Sequence, residues 1–530
     1  MRPVGPTPES RTTIQSMDPA TNTVFARLDG TPIGELPGIV VRSRRAQALW
    51  ATQPLKSRCS AIRRFGEALY ARRSDLAASV THETGKPLVE ALFSDVLVSL
   101  ETAKYYARYA PKLLAEQRVA HHNLAVKAKS GRLRFEPCGV IGIIAPWNYP
   151  LAISLSQLIP AIVAGNSVIL KPSELTPSCG QLIAGCFAAA GFPLDLLQIV
   201  QGAGEVASAL IDARPDKIVF TGSVVTGRRV AEACARHLIP SVLELGGKDS
   251  MIVLADADIE AASSAAVWGG FTNCGQACIS VQRVYAEQSI APKFAQLCAE
   301  KTKLLRLGPG SDPENEIAPM IRVDSADHIE AQLLDAVAQG AEILTGGRRR
   351  PDVGPNYFEP AIVVRVDHSM RLMREETFGP VLAIQTVKNA DEAVALANDS
   401  PFGLSASVWT TDRRRARRIA ESIRAGAVMI NDVASYFAMA EAPHGGHGLS
   451  GWGRTHSRIG LLEMVQVKYI DVDRLPRWPK TWWFGYNNDV AEIAGRFIDF
   501  SYAPGWWRRW RNAGGVLRAL FRGHRIEHVK

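Results

Sequence analysis

Two cysteines four residues apart lie in the stretch Phe271-Thr272-Asn273-Cys274-Gly275-Gln276-Ala277-Cys278-Ile279-Ser280. Some thirty residues upstream runs Leu243-Glu244-Leu245-Gly246-Gly247-Lys248. A thiol on a Gly-containing loop is a candidate nucleophile, and a carboxylate on a tight Gly-Gly turn is a candidate base. Covalent catalysis through sulfur needs both when a thioester has to be hydrolysed. Either segment alone says little, because a lone Cys in a soluble protein is ordinarily inert packing. A third segment, Ile144-Ala145-Pro146-Trp147-Asn148-Tyr149-Pro150, offers an amide that could donate two hydrogen bonds to a developing oxyanion without titrating. A Pro-flanked Asn between two aromatics is more often a plain turn residue.

Such groups must be held by a scaffold, and the chain supplies a legible one. Short apolar runs at 140–144, 167–170, 197–200 and 217–220 are separated by helical stretches, the β/α alternation of a doubly wound parallel sheet. A second alternation runs from Met251 to about Ile430. Residues from about 39 to 116 are Ala-, Arg- and Leu-rich with helical periodicity, broken at His82-Glu83-Thr84-Gly85-Lys86-Pro87. Residues 125–136 alternate polar and apolar and predict a β-hairpin with Ser130-Gly131 at its turn. Residues 463–470 alternate as an edge strand does. Val219-Phe220-Thr221-Gly222-Ser223 predicts a strand, a Gly turn and a helix start, whose backbone amides and dipole suit a pyrophosphate at Gly222 and Ser223. No G-x-G-x-x-G fingerprint follows a strand.

At 530 residues the chain is too long for one core and should divide into two or three domains. A hydrophobic fraction of 47% with 43 glycines suits a globular α/β protein, not a disordered or fibrous one. The eight cysteines are scattered, with no CxxC pair and no histidines at metal-ligand spacing, so neither a disulfide framework nor a metal site is expected. The first fifteen residues are polar and carry no apolar core of a secretory signal, so a cytoplasmic, reducing setting is expected. The net charge of +9 is concentrated at one end. From Arg474 onward there are eleven Lys/Arg against four acidic residues, and six of the eleven tryptophans. The rest is near neutral, which gives nucleic-acid binding no support.

Taken together, the Glu-Leu-Gly-Gly-Lys and Gly-Gln-x-Cys segments closely resemble the two signatures of the aldehyde dehydrogenase superfamily, and the likeness extends over roughly Met17 to Tyr469. The resemblance implies an α/β fold with a Rossmann-type cofactor domain (17–116 and 137–246) and an α/β catalytic domain (247–446). It also implies a β-hairpin/strand oligomerisation arm (117–136 and 462–473), and hence a homodimer or homotetramer. Residues 474–530 form a separate basic, Trp-rich tail. Lys171-Pro172-Ser173-Glu174 resembles the family's adenosine-ribose clamp, through Lys171 and Glu174. In Glu375-Glu376-Thr377-Phe378-Gly379-Pro380 the resemblance gives Glu376 the nicotinamide ribose, with Phe378 nearby. Trp147 and Leu245 complete the expected cofactor contacts. The superfamily is known for lacking the Gly fingerprint, so its absence is compatible with NAD, or with NADP as the alternative. Glu174 favours NAD, because a carboxylate at close range repels a 2′-phosphate.

The implied mechanism has Cys278 attack the aldehyde carbon while Asn148 and the Cys278 amide stabilise the tetrahedral species. Hydride then passes to the nicotinamide, and Glu244 activates the water that hydrolyses the thioester. Cys274 lacks the Gly-Gln context. Two other readings stay in view. A relative that passes the acyl group to coenzyme A typically lacks Glu at the base position. A non-catalytic binding protein need not keep Cys278, Glu244 and Asn148 together.

The chain departs from the family pattern in Pro443-His444-Gly445-Gly446-His447-Gly448-Leu449-Ser450-Gly451, where a pocket Phe is replaced by His444 and a Lys by Gly448; Thr455 stands for an acidic residue. This loop resembles a bacterial subgroup labelled succinate-semialdehyde dehydrogenase. A substrate ending in a carboxylate should meet a fixed cation, most economically Arg. The positions that carry Arg in well-studied members are Ser156 and Thr272 here. A broad or hydrophobic aldehyde is therefore the first expectation, and succinate semialdehyde the second.

In the tail, a helical register puts Trp506, Trp510, Ala513, Leu517 and Phe521 on one stripe and Arg508, Arg511, Arg518, Arg522 and Arg525 on the other. That pattern predicts a helix lying on a membrane surface, or else tryptophans packed on the body or a partner.

Overall fold

The structure of the chain, a computed structural model, describes residues 12–477, 480 and 482–522, without the side chains of 124 and 516–522. Strands β1 (Thr13–Asp18) and β2 (Thr23–Asp29) open the chain as an antiparallel pair. Helices Leu36–Ala51, Leu55–Ala71 and Arg73–Thr84 follow. The last stops at Gly85, whose positive φ is the left-handed turn that ends a helix. Strands β3 (Gln117–Val119) and β4 (Lys129–Pro137) come next.

The first large sheet then forms from β5 (Val140–Ile144), β6 (Ser167–Lys171), β7 (Leu197–Ile199), β8 (Lys217–Thr221) and β9 (Ser241–Glu244). The second contains β10 (Asp249–Val253), β11 (Val281–Glu287), β12 (Glu342–Thr345), β13 (Ala361–Val364), β14 (Val381–Val387), β15 (Ser405–Trp409) and β16 (Ala427–Ile430). Strands β17 (Gly451–Trp452) and β18 (Val465–Asp473) close the α/β part. The α/β class expected from the apolar runs is the fold observed.

The first sheet has the order β17-β9-β8-β5-β6-β7, parallel except for β17, and the second β12-β13-β14-β11-β10-β15-β16, parallel except for β12. Every residue of β5 and β6 is buried, because helices cover both faces of a parallel sheet. In the first sheet the chain winds outward from β5 through β6 to β7, then returns to β8 on the other side. The crevice beyond the carboxyl ends of β5 and β8 is thus a topological switch point, where ligands bind in open α/β sheets. Its two lips are Trp147-Asn148 after β5 and Gly222-Ser223 after β8. The Leu245-Gly246-Gly247-Lys248 link carries the chain from the carboxyl end of β9 to the amino end of β10.

Three expectations need correction. Ser130-Gly131 is not a turn but lies inside β4, and 120–128 make the connection to β3. A Cβ on Gly131 would stand 2.7 Å from the Tyr469 ring on β18. This glycine therefore serves a close approach between strands. The catalytic domain is followed by a return to the first sheet: β17 pairs with β9, and Leu461, Met464 and Val465 are buried in that sheet's core. The chain from 451 to 464 therefore belongs with the first sheet, and the arm strand begins at Val465, not at 462. The sheet β18-β4-β3 with the tail forms a separate unit, 116–134 and 467–530.

In that unit β18 is an edge strand with Val467, Tyr469 and Val472 exposed. Helices Asn488–Tyr502 and Trp506–Arg522 pack on each other. Trp506, Trp507 and Trp510 are exposed, as are Arg508 and Arg511. Trp478 and Arg525, and the side chains of Leu517, Arg518, Phe521 and Arg522, lie outside the described residues. Among the described residues no helix is long and apolar enough to cross a membrane.

Candidate active site

The nucleophile loop follows helix Ile259–Phe271, whose first turn is capped by the Asp258 carboxylate. Asn273, Cys274 and Gly275 then take left-handed φ values of 50°, 56° and 69° in succession. At Gly275 a side chain is barred, since a Cβ would lie 2.2 Å from the Gly379 carbonyl oxygen. Gln276 braces the loop: its Nε2 donates to the Asn273 carbonyl (3.0 Å), and its Oε1 accepts from the Ile321 N–H (2.9 Å). Cys278 is half-buried at the edge of a cavity, whereas Cys274 is wholly buried in the core of the second sheet. Burial and the carboxyl groups of Asp249, Glu376 and Glu244 push the Cys278 thiol up, so it rests protonated.

Asn148 is buried beside this loop. Its Nδ2 donates to the Gln276 carbonyl at 3.1 Å, leaving the amide's second N–H for another acceptor. Its main-chain carbonyl accepts from Lys86 Nζ (2.7 Å) and Asn273 Nδ2 (3.1 Å). Lys86 in turn pairs with Asp95 at 2.8 Å, both fully buried. The second Asp95 oxygen accepts from the N–H groups of Leu151 and Ala152 at the start of helix Pro150–Ala164. Lys86, Asp95 and Asn273 are positioning residues to which sequence reasoning gave no role, and Gln276, known there only as part of the Gly-Gln-x-Cys segment, is a fourth. Lys86 was legible only as part of a helix break, and nothing local announces its burial.

Glu244, the last residue of β9, is 2% exposed, and neither of its carboxyl oxygens has a hydrogen-bond partner. Burial therefore raises it well above the usual carboxylate range, against the pull of Arg454. The Gly-Gly turn after it is squeezed from both sides. A Cβ on Gly246 would lie 2.3 Å from Glu376 Oε2, and one on Gly247 2.4 Å from the Cys278 carbonyl oxygen. Gly247 N–H donates to Glu376 Oε1 at 3.0 Å. Three segments far apart in sequence thus meet at one turn.

The switch-point crevice holds the remaining expected residues. Lys171, buried at the end of β6, pairs with the half-exposed Glu174 at 3.2 Å. Gly222 and Ser223 lead into helix Val224–Arg236, with Ser223 Oγ accepting from the Thr226 N–H. The rings of Trp147 and Phe378 stand edge to face with centroids 5.7 Å apart. Burial pushes Glu376 up to about 7. Leu245 turns its side chain into packing against Gly227, so any contact it makes with a cofactor falls to its main chain. A helix N-terminus, a buried ammonium beside a carboxylate, and a ring pair whose Phe378 is two residues from Glu376 in the chain are groups that could hold a dinucleotide. Among the described residues no cluster of three or more His, Cys, Asp or Glu is placed to hold a metal.

Cys278 opens into a cavity of about 250 Å³ walled by Phe93, Leu97, Tyr149, Ile153, Trp268 and Phe437. No charged side chain lines it among the described residues. Thr272 lines it too, and its hydroxyl donates to Glu90 at 3.0 Å, so a carboxyl group lies directly behind that wall. The Lys86 ammonium is behind Tyr149, 3.8 Å from the ring centroid and outside the cavity lining. Ser156 is buried with its hydroxyl bonded to the Ile153 carbonyl.

A doubly wound α/β crevice meeting a half-buried cysteine, a buried carboxyl and a buried amide is an arrangement suited to an oxidoreductase. Residues 7–470 match the aldehyde dehydrogenase family, and the chain belongs to that family. It is 40% identical over 486 residues to 4,4′-diapolycopene aldehyde oxidase of Methylomonas sp, covering 90% of each chain. It is 37% identical over 448 residues to a Mycolicibacterium smegmatis protein provisionally named NADP(+) succinate-semialdehyde dehydrogenase, covering 84% of this chain and 86% of that one. The structure is similar to NAD-dependent aldehyde dehydrogenase from Sinorhizobium meliloti (TM-score 0.85, 33% identity, covering 89% of this chain and 93% of that one). It is also similar to a betaine aldehyde dehydrogenase point mutant from Staphylococcus aureus in complex with NAD+ (TM-score 0.84, 32% identity, covering 89% and 96%).

Proposed function

We propose that the chain oxidises an apolar aldehyde to its carboxylic acid with NAD. The observation that carries this reading is the cavity at Cys278, walled by apolar side chains and free of charge among its described lining residues. Its walls at Phe93, Leu97 and Trp268 are themselves partly exposed, so the apolar surface continues outward. Apolar walls stabilise an apolar chain by roughly 25 cal/mol per Å² removed from water, and offer a terminal carboxylate nothing. The relative named for 4,4′-diapolycopene aldehyde supports the same reading. Succinate semialdehyde remains the second candidate through the relatives named for it.

In this mechanism the Cys278 thiol passes its proton to the Glu244 carboxylate, which releases it to solvent before the hydrolytic step, and the sulfur forms the bond to the aldehyde carbon. The free N–H of Asn148 and the Cys278 backbone amide hold the oxygen as it gains charge. The dinucleotide, when bound, supplies the hydride acceptor. Lys171 and Glu174 would hold its adenosine ribose, Gly222 and Ser223 its pyrophosphate, and Trp147, Phe378, Glu376 and the Leu245 main chain its nicotinamide half. Glu244 removes a proton from the water that cleaves the thioester. Residues carrying these roles divide between a cofactor domain on the first sheet and a catalytic domain on the second.

Cys278→Ala should abolish turnover, while Glu244→Gln should yield one burst of NADH and then stall as acyl-enzyme. Near-normal steady turnover of either variant would defeat the assignment. A panel of aldehydes read as kcat/KM should rank long apolar chains above succinate semialdehyde by about a hundredfold, since burying an unpaired carboxylate costs several kcal/mol.

Two further readings belong to the same proposal. The exposed edge of β18 is a pairing surface for a homodimer or homotetramer, since an unpaired strand edge templates another strand. The tail helix Trp506–Arg522 holds the enzyme at an anionic lipid surface facing the cytoplasm, for which its exposed tryptophans beside exposed arginines are the support. An apolar substrate partitioning into lipid fits that location.

A further inference from the structure

Glu244 faces His444, a member of a cluster of rings. His444, where the family pattern has Phe, is 4% exposed, and its Nε2 lies 3.7 Å from Glu244 Oε2. Its Nδ1 is 2.9 Å from the Tyr436 hydroxyl. The ring is packed edge-on against Phe437 (centroids 5.0 Å) and His456 (6.0 Å), a setting that a phenyl group would fill equally well. Its backbone is clamped by paired hydrogen bonds with Thr455 (2.9 and 2.8 Å). Gly445, at φ 141°, lets the chain pass the carboxyl group, since a Cβ there would stand 2.9 Å from Glu244 Oε1.

We propose that His444 is a positioning residue for Glu244, presenting an Nε2–H to the carboxylate while the Tyr436 hydroxyl, donating to Nδ1, fixes that tautomer. The proposal rests on the reading of Glu244 as the base. A hydroxyl that donates to Nδ1 leaves the neutral ring's proton on Nε2, on the side of the carboxyl group. The resting contact is longer than a hydrogen bond, and a small rotation of the Glu244 side chain closes it, as resting sites commonly tighten in the reacting complex.

The ring stays neutral: burial, with His456 and Arg454 nearby, lowers His444 to about 3. Arg454, Glu463 and Cys278 also act on or beside Glu244, and Asp249 and Ser405 lie by Tyr436. None of these offers the otherwise unpartnered carboxyl oxygens a hydrogen bond. A bond donated to the ionised form lowers an acid's pKa, so losing it raises the pKa of the base. The acid limb of thioester hydrolysis should then move to higher pH.

The test uses the full-length enzyme with NAD and a long-chain alkanal, following acyl-enzyme decay by intact mass across pH, together with the NADH burst. His444→Phe should keep the burst within about twofold, slow decay roughly tenfold at neutral pH, and shift the acid limb up by about one pH unit. His444→Gln, which retains a donor, should return decay to within about threefold of the native rate. Tyr436→Phe should shift the limb in the same direction by less, and it reads the same device should His444→Phe fail to fold. If Glu244→Gln stalls but the limb is unmoved in His444→Phe, or in Tyr436→Phe when that variant stands in for it, His444 merely packs and the proposal is overturned. Steady turnover by Glu244→Gln would remove the base itself, and this proposal with it.

Discussion

The carbonyl oxygen of Cys278 lies so close to Gly247 that a Cβ on the glycine would stand 2.4 Å from it. The proposed nucleophile and the turn that follows the proposed base are therefore in backbone contact, and a shift of one displaces the other. Gly247→Ala should push the nucleophile loop outward. We expect at least a tenfold loss of kcat and roughly 2–3 kcal/mol of destabilisation, the scale of overpacking in a close-packed interior. Thermal unfolding and steady-state rates on the same variant check both.

Asn148 is steered from behind by a buried ion pair. Lys86→Met would leave Asp95 charged, buried and without its cation, which costs about 3–5 kcal/mol. The Asn148 carbonyl would lose its ammonium partner at the same time. The expected result is a lower midpoint of thermal unfolding together with reduced kcat. A variant of native stability and rate would show that the pair does not hold the amide.

Cofactor choice should follow Glu174. With the carboxylate in place, kcat/KM should favour NAD over NADP. Glu174→Gln should narrow that preference by roughly three- to tenfold, a modest effect because the carboxylate is half in water and ion-paired to Lys171. A native preference for NADP of about tenfold or more would refute the argument.

The tail can be tested on its own chemistry. The full chain should float with anionic liposomes at low salt, and release as salt screens its arginines. Replacing Trp506, Trp507 and Trp510 together with Ala should abolish flotation while leaving aldehyde oxidation unchanged. Should the native chain stay in the soluble fraction, the tail serves another purpose.

Much of the chemistry was legible from local signals. Strands β5, β6, β7 and β8 announce themselves as apolar runs of the right length, and a Gly-Gly turn after Glu244 or a Gly-Gln pair before Cys278 is a feature of neighbouring residues. Periodicity and turn chemistry act over a few residues, and a sequence displays them directly. Other properties come from contacts between residues distant in the chain. Gly131 is small because Tyr469 lies on it, not because the chain turns there. The segment 451–464 returns to the first sheet because β9 has an open edge and its core has room for Leu461 and Met464. Cys274 and Cys278 are close neighbours in the chain, yet only packing makes one of them core and leaves the other open to a cavity. His444 meets Glu244, and Lys86 meets Asn148, from segments far apart in sequence. Sequence by itself determined which chemical groups this protein carries and the elements that bear them. Tertiary structure alone decided which of those groups are dry, paired or left without a partner, because desolvation and hydrogen bonding depend on neighbours that only folding brings together.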